Sequence, residues 1–283
     1  MPFEKTDGTI TDNLKDYSGF GNNGTIVGGV TWNESSGYDG NGSYYFDGAG
    51  DYIDMPIRGG NGQTGVGGLS QHTWVAWLKP ETLTEDPGGI YSESIDTGAQ
   101  IRYRVVMSGT NTLQFGARFA DAGSFVIYMS TSLTLNSWNH VAITIDTDNN
   151  YMKLYVNGAI VDTDTTSVTA FDSGAPQTWN IGTTQSIDYK GYIDELMTFN
   201  RTLTPEQVLA LYNNQTIIHS NETSINDVWS FQATPNDGNE DGTTNTSGTI
   251  TIGTSSGNQV PVASNVALTS SSATNTTTEN LTL

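Results

Sequence analysis

The stretch at 137–158, SWNHVAITIDTDNNYMKLYVNG, decides the fold class. Val141, Ile143 and Ile145 alternate with His140, Ala142 and Thr144, the period of a strand with one buried face. Asn149-Asn150 then turns the chain into YMKLYVN, and Asn157-Gly158 supplies the two positive φ angles of a tight hairpin before AIVD. Three consecutive strands therefore pair locally and antiparallel.

The same reading extends in both directions. Short runs of β-branched and aromatic residues, separated by Gly, Asn, Asp and Ser, predict strands at 43–47, 51–55, 72–79, 100–107, 112–119, 124–130, 138–146, 151–157, 159–163, 178–182 and 191–199. One segment departs from this pattern. In TPEQVLALYN, 204–213, Thr204 can cap a helix, Pro205 suits its first position and Gln207 completes a capping box, so a single short helix closes the domain. Beyond it the chain is rich in Thr, Ser, Asn and Gly. Val228-Trp229-Phe231 and Ile250-Ile252 suggest a last hairpin of a second module, and VPVASNVALTS with TENLTL suggests the opening of a further one. The expected division is a main domain over 1–215, a hairpin module over 216–260 and a linker or new module over 261–283.

Composition bounds the function. At 283 residues and 35% hydrophobic content there is material for one sizeable core and little for a second. A net charge of -20 repels phosphate backbones and anionic lipid heads, which argues against nucleic-acid binding and basic membrane attachment. The chain has no cysteine, which removes thiol catalysis, Cys-zinc sites and disulfides together. No run approaches the ~20 apolar residues of a membrane helix, so no direct membrane insertion is expected. MPFEKTDG lacks the basic start and apolar core of a secretory signal, so a secreted protein would carry its signal outside this chain. Asn-x-Ser/Thr sites recur from Asn23 to Asn280, as an extracellular glycoprotein would have them, and as a chain so rich in Asn, Ser and Thr also produces by chance.

Four segments line up in one order: DYSGFGNNGTIVGG (16–29), SYYFDGAGDYIDMP (43–56), 137–158, and GYIDELMTFNRTLTPEQVLALYNN (191–214). This resembles the laminin-G-like, or concanavalin A-like, jelly-roll family over residues 7–214. The closing Gly-x-Ile-Asp-Glu with its Asn-Arg-x-Leu-Thr-x-x-Gln cap carries most of the likeness. The resemblance implies an all-β fold, a two-sheet antiparallel jelly-roll sandwich that binds carbohydrate or protein ligands and often holds calcium. The tail, VWSFQATPNDGNEDGTTNTSGTITI, is similar to modules strung along large prokaryotic surface proteins, which implies an extracellular, cell-surface parent with flanking modules on the same polypeptide.

In the family the ion sits where the amino-terminal loop, the turn after the first long strand and the closing strand meet. By that resemblance its ligands here are Asp16, Asn22, Gly48 and Asp194, with Asp194 offering its side chain and Gly48 a carbonyl. The alternative is that Asp16 starts a turn and Asp194 caps a strand end. Glucanases of this architecture carry Glu-x-Asp-x-x-Glu on one strand, and no such motif occurs. Glu93 reads as a loop or edge carboxylate, and alternation puts Asp96 on the opposite face from it. His72, His140 and His219 lack zinc-site spacing, and no Gly-x-Ser-x-Gly is present. What remains is a binding face. With Ile101, Tyr103 and Val105 inward, alternation places Arg102, Arg104 and Arg118 outward, with Tyr128 on the next strand, a set suited to an acidic glycan. The alternative is that these arginines neutralise Glu93, Asp96 and Asp121. Trp32, Trp179 and Tyr189 are further sugar-contact candidates, with packing as the alternative. The reading is a non-catalytic module that recognises a glycan or a cell-surface protein, with calcium as its cofactor. Its rivals are a carbohydrate-binding module appended to a glycoside-active enzyme and a structural spacer.

Overall fold

A computed structural model of the chain describes residues 13–14, 16, 21–56, 66–82, 88–94, 101–119, 125–171, 178–184, 187–214, 224–230, 232–233, 243–253, 269–270 and 281–282. In chain order the strands are β1 (Asn13–Leu14), β2 (Gly24–Val27), β3 (Thr31–Asn33), β4 (Ser43–Asp47), β5 (Tyr52–Asp54), β6 (Gln71–Pro80), β7 (Gly88–Ser94), β8 (Ile101–Ser108) and β9 (Thr112–Ala117). They continue with β10 (Val126–Ser132), β11 (Asn139–Asp146), β12 (Tyr151–Val156), β13 (Ala159–Asp164), β14 (Thr178–Ile181), β15 (Thr183–Thr184), β16 (Ile187–Asp188) and β17 (Lys190–Phe199), before helix α1 (Pro205–Tyr212).

These strands form two sheets. One has ten strands and the path β1-β2-β5-β14-β7-β8-β9-β10, with β15 and β16 at its side; the other has seven in the order β13-β12-β11-β6-β17-β4-β3. Pairing is antiparallel apart from one parallel bridge, Asp188 to Gly89. Trp74, Leu78, Val141, Ile143, Leu154 and Ile193 from one sheet and Ile53, Tyr91, Tyr103, Val105, Phe115 and Ile181 from the other share a single core. Burying each such side chain is worth ~1.5–3 kcal/mol, so the sheets are held face to face chiefly by area removed from water. The predicted jelly-roll sandwich is what the chain adopts.

Local signals act as their chemistry requires. Asn157 and Gly158 have φ of 51° and 78°, the primed turn expected between β12 and β13. Thr204 Oγ1 accepts from Gln207 N, and Thr204 N donates to Gln207 Oε1 at 2.9 Å, closing the capping box of α1. The helix lies over this hairpin: a Cβ on Gly158 would stand 2.7 Å from Leu209. Strand β7 was not expected from GGIYSES, because all seven of its residues are buried and it shows no alternation.

Two β-bulges correct the expected outer face. Glu93 pairs with Tyr103 and Ser94 with Ile101, which leaves Arg102 as the extra residue of a bulge. That change of phase turns Arg102 inward, fully buried and ion-paired with Glu93, which is also fully buried rather than at a loop or edge. Glu93 Oε2 accepts from Val66 N at 2.8 Å. Burial raises the Glu93 carboxyl, and the Arg102 charge and the Val66 amide oppose that rise. Likewise Ile127 pairs with Gly116 and Met129 with Phe115, so Tyr128 is a bulge residue. It packs edge-on against Phe119, ring centroids 5.4 Å apart, instead of lying on the outer face.

The chain divides into two compact units, one carrying Ile10–Thr216 and the other Ile217–Leu283. The second holds three short antiparallel pairs: β18 (Val228–Trp229) with β21 (Ile250–Thr251), β19 (Gln232–Ala233) with β20 (Asn245–Thr246), and β22 (Thr269–Ser270) with β23 (Leu281–Thr282). Val228 and Ile250 are 63% and 70% exposed, so the first pair buries little. Phe231, expected to join it, is outside the described residues. No described helix is long and apolar enough to cross a membrane.

Two measurements check this account. A chain ending at residue 215 should keep its β-sheet circular dichroism and one cooperative unfolding transition; a broad, non-cooperative melt would overturn the division. Arg102→Met, which strands a buried carboxylate, should cost ~3–5 kcal/mol in denaturant unfolding, and adding Glu93→Gln should recover part of it. A single-variant cost under ~0.5 kcal/mol would contradict the role given to the pair.

Candidate ligand-binding face

On the ten-stranded sheet, the residues between the core positions form one cross-strand row. Register carries it from Thr25 to Asp54, Asn180, Ser92, Arg104, Gly116 and Ile127, across seven neighbouring strands. At ~4.8 Å between strands the row is roughly 29 Å long. Its core-side counterparts include Ile53, Ile181, Tyr91, Val105 and Phe115, so the same alternation that builds the core turns this row away from it, with Ser92 and Gly116 nevertheless buried.

The row has an aromatic floor at one end. Gly116 has no side chain, and the Phe125 ring occupies that space: a Cβ there would meet Phe125 Cζ at 2.2 Å. The Arg104 guanidinium lies 4.6 Å from the centre of the same ring, a cation–π contact that fixes where its donors point. Half-burial lowers the Arg104 pKa from its ordinary value. Towards the other end, Asn180, with its amide oriented to donate, reaches Asp54 Oδ1 at 3.2 Å. Desolvation raises the Asp54 carboxyl although the residue is exposed. Ser92 is buried, its hydroxyl donating to the Thr183 carbonyl at 2.9 Å. Planar donors and acceptors beside a ring face can bind hydroxyls at the edge of a sugar while the ring covers its apolar side.

The sequence-predicted residues fare unevenly. Arg104 and Arg118 are half-buried and lie outside the core, whereas Arg102 and Tyr128 are displaced by the bulges. Trp179 and Tyr189 are buried, with Trp179 Nε1 donating to the Tyr91 hydroxyl at 2.5 Å; Trp32 is half-buried. Asp96, Asp121 and His219 are outside the described residues. Asp54, Asn180 and Phe125 were missed. Asp54 follows from alternation around Ile53, but the seat of Phe125 over Gly116 depends on the register of two strands and leaves no mark in either segment.

The expected calcium ligands do not come together. Asp16 Oδ2 accepts from Asn22 N at 2.8 Å, which closes their own loop at the start of β2. Gly48 belongs to the turn that meets the other end of β2, where Asp51 accepts from Gly29 N; five or six residues of strand, roughly 16–20 Å, separate the two. Asp194 lies on the other sheet, opposite Trp77, and five residues along β4, roughly 16 Å, separate its level from Gly48.

Asp194 has a different oxygen-rich neighbour, the segment 37–42. Its Oδ2 accepts from Tyr38 N at 3.1 Å and its Oδ1 from Glu195 N at 2.8 Å. Glu195 takes a φ of 47° in the β-bulge that follows. The carbonyl oxygens of Asn41 and Gly42 and Asp194 Oδ2 stand 2.7, 2.7 and 2.8 Å from the point that a Cβ on Gly37 would occupy. Burial, then the charge of Glu195, push the Asp194 pKa up to about 8, with Asp39 adding to the rise. A buried carboxylate beside two carbonyls is oxygen-donor chemistry of the kind a hard cation takes, and the Asn41 carbonyl also accepts from Gly37 N at 2.7 Å. Among the described residues no group of three or more Asp, Glu or His side chains could hold a metal, so carbonyls and water would supply the remaining ligands.

Comparison with known proteins bears on the whole arrangement. Domain 4 of AbnA, an extracellular arabinanase from Geobacillus stearothermophilus solved with arabinotriose, is 23% identical with a TM-score of 0.53, over 71% of this chain and 93% of that one. The binding domain of botulinum neurotoxin serotype G is 16% identical with a TM-score of 0.52, over 71% of this chain and 48% of that one. The binding domain of Paraclostridial Mosquitocidal Protein 1 is 19% identical with a TM-score of 0.55, over 73% and 51% respectively. Likeness at these identities concerns the fold. A comparison with curated proteins finds no match. The family model described as the concanavalin A-like lectin/glucanases superfamily matches residues 47–209, from the turn after β4 into α1, and with the two-sheet sandwich this places the chain in that superfamily.

Proposed function

We propose that the domain is a non-catalytic carbohydrate-recognition module of an extracellular polypeptide, reading a glycan across the outer face of the ten-stranded sheet. The observation that carries this is the Arg104 guanidinium held on the Phe125 ring above Gly116, in line with Asn180 and Asp54. With Arg102 turned inward, the row sets one carboxylate against the guanidinium of Arg104, so it reads hydroxyls more than charge. A glycosidase needs two carboxyl groups flanking the bond, and Glu93 is inside the protein, bound to Arg102. That the arabinanase domain was solved with arabinotriose, and that the toxin relatives are binding domains, supports recognition and an extracellular setting. Calcium at Asp194 with the Asn41 and Gly42 carbonyls would fix the 37–42 segment against the seven-stranded sheet; it serves structure and takes no part in ligand chemistry.

A glycan array followed by titration calorimetry tests the first claim. Arg104→Gln removes a charge-assisted hydrogen bond worth ~1.5–3 kcal/mol and should weaken binding roughly 10- to 100-fold with little change in melting temperature. Unaltered affinity in both Arg104→Gln and Phe125→Ala would rule the row out.

The calcium claim has a pH signature. Without metal, the raised pKa of Asp194 contributes stability fully present below its ordinary value of 3.8 and lost as pH rises through about 8. In chelator, the melting temperature of the wild type should therefore fall across that window relative to Asp194→Asn. The difference between the two proteins separates this group from His72 and His140, whose pKa values burial lowers to about 4. Calcium should raise the wild-type melting temperature most near pH 8 and that of Asp194→Asn much less. Identical wild-type curves with calcium and with chelator would dismiss the ion.

A further inference from the structure

The outer face of the seven-stranded sheet carries a cluster that neither the core nor the proposed glycan row uses. Register aligns Thr31, Tyr45, Tyr192 and Lys79 across β3, β4, β17 and β6, and Trp138 stands just before β11 at the next position. All three aromatic residues are half-buried. The Tyr45 and Tyr192 rings are 4.8 Å apart at 49°, and the Trp138 ring is 6.3 Å from Tyr192 at 60°. They form an angled corner with Tyr192 at its vertex.

Charge is arranged around that vertex. Lys79 Nζ lies 5.1 Å from the Tyr192 ring centre, and among the described residues no carboxylate is within ion-pair distance of it. Lys190 differs: its Nζ is 3.9 Å from Glu81 Oε2, which also accepts from the Tyr45 hydroxyl at 3.4 Å, and Asp47 is in register with it. The corner thus has one committed ion pair that holds Tyr45, and one cation left over beside the Tyr192 ring. Desolvation, then Glu81, raises the Tyr45 pKa, so its hydroxyl stays a donor at neutral pH.

We infer that this corner is a second binding site, for a saccharide that carries a carboxylate. The apolar face of the sugar rests on Tyr192 and Trp138, the carboxylate meets Lys79, and the Glu81–Lys190 pair with the Tyr45 hydroxyl meets ring hydroxyls. Rings supply area at small entropic cost and a charge-assisted bond supplies the choice between acidic and neutral sugars. The row around Arg104 lies on the other sheet of the sandwich, so neither site depends on the other.

The probe is a uronic-acid trisaccharide set against its carboxyl-reduced, neutral counterpart, titrated into the full chain and followed by calorimetry. Wild type should bind the acidic sugar at least tenfold more tightly. Lys79→Gln should abolish that preference, Lys79→Arg should retain most of it, and Trp138→Ala should weaken both sugars, each at an unchanged melting temperature. Arg104→Gln, which tests the row, should leave the preference intact. Equal binding of the two sugars by wild type, absence of binding, a preference that survives Lys79→Gln, or one that vanishes in Arg104→Gln would each overturn the inference.

Discussion

Strand β6 is paired along its length on both sides, with β11 through eight residue pairs and with β17 through seven, and its alternation fixes what every other element meets. Trp74, Ala76 and Leu78 point into the shared core. Val75, Trp77 and Lys79 point the other way, and each organises one zone of the outer face. Val75 joins Ala142, Tyr155, Leu203 and Val208 in a second apolar cluster beneath α1. Trp77 stacks on Tyr38 with ring centroids 4.1 Å apart and 9° between planes, and the Tyr38 hydroxyl donates to Asn214 beyond the helix. Lys79 lies beside Tyr192 at the aromatic corner. One strand of ten residues thus sets the core, the seat of the helix, the clamp on the 37–42 segment and the exposed site.

That logic was legible in the sequence wherever period two held without interruption. WNHVAITID gave β11 within a residue, Asn157-Gly158 gave the next turn, and Thr204, Pro205 and Gln207 gave the helix with its cap. Reading failed where the ladder gains a residue. A bulge reverses the phase of alternation, and nothing in IRYRVV states that Arg102 is the extra residue of one, since the bulge arises from the register of β7, which was itself invisible for want of a polar face. The calcium set failed for a different reason. Asp194 was found through its motif, but its oxygen neighbours are carbonyls of Asn41 and Gly42, and a carbonyl is common to every residue. Side-chain identity points to carboxylates and leaves carbonyl oxygens unmarked.

The buried polar groups show how much the fold tolerates and where it is constrained. Desolvation keeps the His72 and His140 rings neutral, with pKa values near 4, and at His72 it outweighs a backbone hydrogen bond with Phe199 that favours the charged ring. They are packed as flat apolar groups: His72 stands edge-on to Tyr103, centroids 5.4 Å apart, and His140 edge-on to Trp77 at 5.2 Å. Because their folded pKa values are depressed, their contribution is present above about pH 6.5 and is lost as pH falls through about 4. Asp194 acts in the opposite direction over an overlapping range. A carboxyl that favours its proton and histidines that refuse theirs oppose one another on the acid side of neutrality.

Electrostatics over longer distances shapes what either face can recognise. With a net charge of -20, the field beyond the surface repels anions, and at physiological salt it fades over ~8 Å. An acidic sugar is therefore not steered to this protein; it must reach Lys79 and be held by contacts shorter than the screening length. Salt then acts in two senses at once, weakening the local ammonium–carboxylate attraction and relieving the long-range repulsion. The net salt dependence of such binding should be shallow, unlike that of a basic surface binding a polyanion, where each neutralised charge adds to the slope. Selectivity on this scaffold consequently rests on geometry: which side chains the two sheets turn outward, and which the bulges turn in.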